Sequence, residues 1–203
     1  MSFYQSRVLP YLVHMSMRQE GLSPYRRRVA AAAEGCILEI GVGSGINLPY
    51  YSERAVQVVG LDPSTKLLSM AREAMRKSEL RVELLHGSAE TIPLPDNSVD
   101  TVVTTWTLCS ISDVVRALSE MRRVLKPEGR LLFVEHGLSP DAKVRFWQNR
   151  LTPLWKRIGG GCHLNRPIGE MVQGAGFHIE RMDTGYMDGP KPMTYMYEGI
   201  ARP

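Results

Sequence analysis

Short, nearly unbroken apolar runs recur along the middle of this chain, each followed by a polar or glycine-rich break. They predict strands over 36–40, 56–61, 81–85, 99–105 and 130–135. Helical spacing between them predicts helices over about 46–53, 64–78 and 112–125. Strands that are apolar along their whole length, alternating with helices, imply a parallel sheet covered on both faces. Ahead of this core, residues 2–19 form a mostly apolar helical segment kinked at Pro10. A second helix over 24–34 is expected, with Ser23 as cap and Pro24 at its first position. After the core, 141–157 is helical, with Val144, Trp147, Leu151 and Leu154 on one face and a bend at Pro153. A hinge at Gly159-Gly160-Gly161, a helix over 166–174 and strands over 177–184 and 193–201 complete the chain. No repeat or low-complexity segment interrupts this order.

The most informative junction is Ile37 to Asn47, where a buried strand runs into Gly41-Val42-Gly43-Ser44-Gly45 with Glu39 near its end. Glycines there let the backbone turn tightly and approach a ligand. The next strand ends in Asp62, where a ribose-binding acid belongs in a βαβ nucleotide site. A dinucleotide loop needs a third glycine to bring a helix N-terminus to a pyrophosphate. Leu48-Pro49 follow Asn47 instead, and Glu39 would repel a phosphate. The loop therefore favours S-adenosylmethionine (SAM), a cationic cofactor without phosphate, over a nicotinamide dinucleotide.

With these residues in view, the chain resembles the class I SAM-dependent methyltransferases. Glu39-Ile-Gly41-Val-Gly43-Ser-Gly45 is similar to their glycine motif, and Val59 to Ser64 to the acidic turn after strand two. Gly87 to Asp100 resembles the adenine-binding loop and strand four of the subgroup that includes quinone-biosynthesis enzymes. Leu125 to Arg130 resembles the turn before strand five. Further on, Phe133-Val134-Glu135-His136, Trp147-Gln148, Trp155 and Gly161 to Arg166 are similar to the methyltransferase-like 7 (thiol methyltransferase) group and its bacterial relatives. The resemblance implies a Rossmann-like α/β sandwich, a seven-stranded mostly parallel sheet of order 3-2-1-4-5-7-6 with helices on both faces. It implies one methyltransferase domain over 1–203, with a helical cap at 1–34, a SAM-binding core at 35–136 and acceptor-side elements at 137–203. The animal proteins carry a longer hydrophobic anchor at their start, so membrane residence does not carry over.

Composition narrows the picture further. The chain's 203 residues fit one domain, and 43% hydrophobic residues supply an ordinary core. Eleven methionines fill the core or adapt a pocket to varied apolar ligands. Cys36, Cys109 and Cys162 are odd in number and widely spaced, which implies neither a disulfide framework nor a zinc motif, and no metal is expected. The net charge of +4 draws on Arg26-Arg27-Arg28, a solvated helix face or a contact for anionic surfaces. No cleavable leader and no run of the ~20 apolar residues that span a bilayer is seen, so a cytoplasmic protein with peripheral membrane contact at most is expected. Base methyltransferases carry an (Asn/Asp)-Pro-Pro-aromatic loop after strand four; here that loop reads Thr104-Thr105-Trp106-Thr107-Leu108-Cys109. Nucleic acid is not an expected partner.

Ligands in such sheets bind beyond the carboxyl ends of the strands, where Glu39, Asp62, Thr105 and His136 all lie. The resemblance gives Asp62, with Pro63 and Ser64, to the ribose; Gly87, Ser88, Ala89 and Glu90 to the adenine; and Thr105 and Leu108 to the sulfonium side. Glu39 meets the methionine amino group or pins the glycine loop, and both readings stand. Methyl transfer needs alignment first, and a base only if the acceptor arrives protonated. His136 is the first candidate base and His163 the second; Cys162 is expected to be structural. Asn165 and Arg166 orient an acceptor or cap the next helix. Tyr4, Leu9, Leu12, Met15, Trp147 and Trp155 are candidates to roof a pocket for a small, fairly apolar acceptor, a thiol first. Phospholipid N-methylation, quinol or other small-molecule methylation, and SAM binding without catalysis are the alternatives.

Overall fold

In a computed structural model describing residues 3–203, seven strands form one sheet of order β3-β2-β1-β4-β5-β7-β6. The strands are β1 (Gly35–Ile40), β2 (Ala55–Asp62), β3 (Val82–His86), β4 (Val99–Thr105), β5 (Leu125–His136), β6 (His178–Tyr186) and β7 (Tyr195–Arg202). β1 to β5 pair in parallel, and β7 enters antiparallel between β5 and β6. The sheet thus has the Rossmann-like order that the family resemblance implied.

The helices are α1 (Leu9–Ser16), α2 (Ser23–Ala32), α3 (Thr65–Met75), α4 (Val114–Val124), α5 (Ala142–Ile158), α6 (Ile168–Gly174) and α7 (Lys191–Thr194). One face of the sheet packs Leu38, Ile40, Leu118, Met121, Phe133 and Val172 into a core. The other packs Val29, Ile37, Val58, Val103, Leu132 and Val134. Adjacent residues of β1 thereby enter opposite cores, which is why the strand reads as continuously apolar.

Departures from the expected boundaries have local causes. Pro10 lies at the start of α1, after a π-helical turn over Tyr4–Val8, so the proline divides the first segment in two. Ser23 caps nothing; it is the first residue of α2, and a 3₁₀ turn over Glu20–Leu22 leads in. The helix expected over 46–53 shrinks to a 3₁₀ turn at Leu48–Tyr50. Asn47 and Tyr51, on either side of it, turn their side chains inward to Glu39 and leave no room for a regular helix. β5 begins early at Leu125, but its register jumps between Val99↔Leu125 and Thr101↔Arg130. The expected turn is therefore a bulge in the strand, with Lys126 Nζ donating to Asp100 at 2.6 Å.

The cap is tied to the last strand. Arg28 of α2 donates from Nε to Glu198 Oε1 at 2.8 Å and from its terminal nitrogen to Oε2 at 2.6 Å. This two-pronged pair on β7 joins residues 170 positions apart.

Candidate active site

The carboxyl ends of β1, β2, β4 and β5 meet at one edge of the sheet. β1 delivers Gly41, Gly43 and Gly45, all at positive φ of 56–75°. A Cβ on Gly41 would run into the Thr107 side chain, so glycine is required there. A Cβ on Gly43 would meet nothing nearer than a carbonyl oxygen at 3.8 Å. The backbone at Gly43 therefore forms an open cradle that a side chain would fill, and a flat ligand fits against it.

Asp62 closes the cradle. Its Oδ2 accepts from the Gly43 N–H at 3.0 Å and its Oδ1 from the Ser64 N–H at 2.7 Å. Burial raises its pKa, which those two N–H groups only partly offset. Ser64 is the cap of α3, its Oγ accepting from Leu67 N–H at 3.3 Å, so Asp62 is free of that duty. The Pro63 carbonyl meets His86 Nε2 at 3.0 Å. Gly87, Ser88, Ala89 and Glu90 lie past the end of β3 as a tight turn: the Glu90 N–H donates to Ser88 Oγ at 3.3 Å and the Glu90 carboxylate accepts from Asp113 N–H at 3.2 Å. The Ala89 side chain belongs to the core.

Beneath the cradle sits a buried polar network. Asn47 donates to Glu39 Oε1 at 2.7 Å and to Thr105 Oγ1 at 3.0 Å, and accepts from Arg26 at 2.7 Å. Tyr51 donates to the other Glu39 oxygen at 2.8 Å. Glu39 is thereby tied to the residues that follow the glycine loop. Arg26 is 5% exposed, so the solvated-face expectation fails for it. Its guanidinium donates to the Met17 carbonyl at 3.0 Å and lies 4.7 Å from the Trp106 ring centre. Trp106 follows the end of β4 at a φ of 50°, a strained conformation for a non-glycine residue at the site edge. Nothing in the pattern of the basic run singled out Arg26; its inward turn follows from the cap folding over the glycine loop. There His14 Nδ1 of α1 meets Ser44 Oγ at 2.7 Å.

Burial pushes the Glu39 carboxyl up to about 7, against the hydrogen bonds from Tyr51 and Asn47. The folded chain then holds a proton that the unfolded chain releases above pH 4.5, so stability falls as pH rises from there and levels off above about 7. Glu39→Gln keeps the shape and abolishes the titration. Its denaturation midpoint is expected to change less between pH 5 and 8 than the parent's; parallel curves would refute a titrating Glu39.

The β4 and β5 ends carry different chemistry. Leu108 is fully buried in the core, and its N–H, like that of Thr107, donates to Glu135 Oε1 at 2.9–3.0 Å. Arg166 neither caps α6 nor faces solvent; it donates to the Leu108 and Ile111 carbonyls and clamps the same loop from outside. Asn165 bonds Asn149 at 2.8 Å. His136 is 9% exposed, its Nε2 is 3.1 Å from Cys162 Sγ, and its buried Nδ1 has no partner. His163 turns Nδ1 to the Cys109 carbonyl at 3.1 Å. Cys109, His136 and Cys162 thus gather from three distant segments, with their ligand atoms within 4.8 Å of one another. Hydrogen bonding from Cys162, together with the His136 ring, holds the Cys109 thiol well below its ordinary range. Sequence spacing hid this cluster because none of the three is near another in the chain.

Of the candidate roof, Trp155 packs on Cys109 and Cys162, and Tyr4 donates to the Ile158 carbonyl at 2.7 Å, joining the first turn to the end of α5. Leu12, Met15 and Trp147 are exposed instead.

A mostly parallel sheet of this order, a glycine cradle, and an acid braced at the end of β2 are together the frame of a SAM-dependent methyltransferase. A methyltransferase-domain family matches residues 38–133. The rat thiol S-methyltransferase TMT1B is 33% identical over 166 residues, 80% of this chain and 68% of that protein. A phosphatidylethanolamine N-methyltransferase of Cereibacter sphaeroides is 40% identical over 116 residues, 55% of this chain and 57% of its own. A SAM-dependent methyltransferase structure from Aquifex aeolicus shares the fold at a TM-score of 0.66 and 21% identity, with 95% of this chain and 97% of that one covered. The chain belongs to the SAM-dependent methyltransferase family that includes the thiol S-methyltransferases.

Proposed function

We propose that the protein transfers a methyl group from SAM to a small, fairly apolar thiol. The observation that carries this is the extent of the likeness to the thiol S-methyltransferase. It runs over 166 residues, 80% of this chain, and so is not confined to the 38–133 methyltransferase-domain match. In this reading Asp62 holds the ribose hydroxyls, and the 87–90 turn borders the adenine. The Gly41–Gly45 backbone leaves room for the cofactor, and Thr105 steadies the loop beneath it through Asn47. SAM, when bound, supplies a methyl already activated on a sulfonium. The chain's own work is to align the acceptor and exclude water, a contribution of ~7–11 kcal/mol when geometry is well fixed. A thiol of pKa ~8.5 needs only mild help to lose its proton, so the reading does not depend on His136 or His163 acting as base.

The test is incubation with SAM and, separately, an alkyl thiol, a quinol, a catechol and phosphatidylethanolamine vesicles, with S-adenosylhomocysteine and methylated products followed by mass spectrometry. Methylation of the thiol alone is expected. Methylation of only the lipid, the quinol or the catechol would move the acceptor to that class, and SAM binding without any product would leave a binding module.

A second reading has its own observation. Phe3, Tyr11, Leu12 and Met15 in the first segment and Phe146, Trp147, Leu154 and Ile158 on α5 are all large, apolar and exposed, and the Tyr4–Ile158 bond joins the two segments. Such a surface suits peripheral contact with a bilayer and delivery of a lipid or lipophilic acceptor. Among the described residues no helix is long and apolar enough to cross a membrane. Co-sedimentation with anionic liposomes that falls at least several-fold in Leu12→Ser/Trp147→Ser is expected; equal sedimentation would remove this reading.

A further inference from the structure

We propose that Cys109, His136 and Cys162 form a binding site for a soft d¹⁰ cation, zinc first. The proposal goes beyond methyl transfer and holds whichever acceptor is used.

Three observations carry it. The first is the donor set. Two thiols and an imidazole, with their ligand atoms all within 4.8 Å, bring together the groups that zinc selects over calcium or magnesium. With metal–sulfur bonds of ~2.3 Å at tetrahedral angles, two coordinated sulfurs stand ~3.8 Å apart, so small side-chain rotations close the set. The second is burial. All three side chains are buried, and Cys109 and Cys162 cluster with Leu164 beside Leu151, Trp155 and Met193. A divalent cation with two thiolates and a neutral imidazole has no net charge, which suits such surroundings. Binding releases to solvent whatever protons the three ligand groups still carry and oxidises nothing.

The third is the bracing around the ligands. Glu135, next to His136, receives the Thr107 and Leu108 N–H groups and the Thr104 hydroxyl at 2.8–3.0 Å, fixing the loop that ends in Cys109. Arg166 holds the Leu108 and Ile111 carbonyls on either side of Cys109. The Cys109 carbonyl receives the His163 backbone N–H at 2.8 Å, fixing the residue beside Cys162. Carboxylates, carbonyls and backbone groups that hold ligand-bearing segments are the usual support of a metal site. Here they fix three segments that β4, β5 and the Gly159–Gly161 hinge bring from far apart. A bound ion therefore clasps the acceptor-side insertion to the carboxyl edge of the sheet. Three protein ligands are also the number found in zinc sites that keep one position for water.

The full chain, purified under reductant without chelator, is to be assayed for metal by mass spectrometry and titrated with Zn²⁺ and Co²⁺. About one zinc per chain, a thiolate-to-cobalt charge-transfer band with Co²⁺ and a higher Tm with Zn²⁺ are expected. Cys109→Ser and Cys162→Ser are expected to lose the band and at least tenfold in zinc affinity, whereas Cys36→Ser, on β1 and outside the cluster, keeps both. SAM binding by calorimetry shows which variants are folded. Should Cys109→Ser not fold, the cobalt band of the parent and its loss in Cys162→Ser decide. Absence of zinc and of the band in the parent would overturn the proposal. So would the same affinity in folded Cys162→Ser, or a Cys109–Cys162 disulfide in place of metal in the protein as purified under reductant.

Discussion

Asp62→Ala is expected to abolish measurable SAM binding while leaving the sheet folded. The carboxylate has two tasks at the end of β2. Its oxygens take the Gly43 and Ser64 N–H groups, which sets the shape of the cradle, and the family reading has the same oxygens accept the ribose hydroxyls. Hydrogen bonds to a charged group contribute ~1.5–3 kcal/mol each. Losing the two ribose bonds alone corresponds to on the order of a hundred- to ten-thousand-fold in Kd. The cost to the fold is small by comparison, because burial already disfavours this carboxylate and its removal lifts that penalty. Asp62→Asn, with the same shape and one remaining acceptor, is expected to fall between parent and alanine. Calorimetric titration with SAM checks both; an unchanged Kd in Asp62→Ala would contradict the cofactor assignment.

Asn47→Ala is expected to lower Tm by about 10 °C or more, a larger stability loss than a surface amide would give. One side chain satisfies Arg26, Glu39 and Thr105 together, and all of them are buried. Arg26 already has a buried Nε without a partner, so removing Asn47 strips a second nitrogen of a buried cation. Stranding charged and polar groups in this way costs roughly 3–5 kcal/mol, and in a domain of this size each kcal/mol lowers Tm by ~2–4 °C. Arg27→Ala is the control. Arg27, next to Arg26 in sequence, is exposed and lies 5.7 Å from the Tyr50 ring centre, and its loss is expected to shift Tm by no more than about 2 °C. Equal melting of parent and Asn47→Ala would show that the network does not hold the loop.

The parts of this molecule legible in the sequence are those with a local cause. β1, β2, β4 and α3 announce themselves because apolar periodicity and glycine chemistry act over a few residues. The glycine loop between Glu39 and Asp62 was legible because a tight backbone turn demands glycine in the sequence itself. The placement of β7 between β5 and β6 came from family resemblance, since no spacing encodes which edge a late hairpin joins. The inward turn of Arg26 and the meeting of Cys109, His136 and Cys162 were not legible at all. Each depends on tertiary packing that brings segments together after the local elements have formed. The short turn at Leu48–Tyr50 was misread for a related reason: helical spacing was present, but the buried needs of Glu39 took Asn47 and Tyr51 away from it.

The pairing of Arg28 with Glu198 sets an order of events during synthesis. Residue 198 is made 170 residues after residue 28, so Arg28 waits for its carboxylate partner until β7 has been added, whereas Arg26 meets Asn47 much earlier. β7 must also slide in beside β5, where Glu198 is aligned with Val134, before β6 has its neighbour. The nascent chain can therefore build β1 to β5 early, while the tie between the cap and the last strand comes only with β7. A chain interrupted before β7 would hold β1 to β5 and a cap without its anchor on that strand.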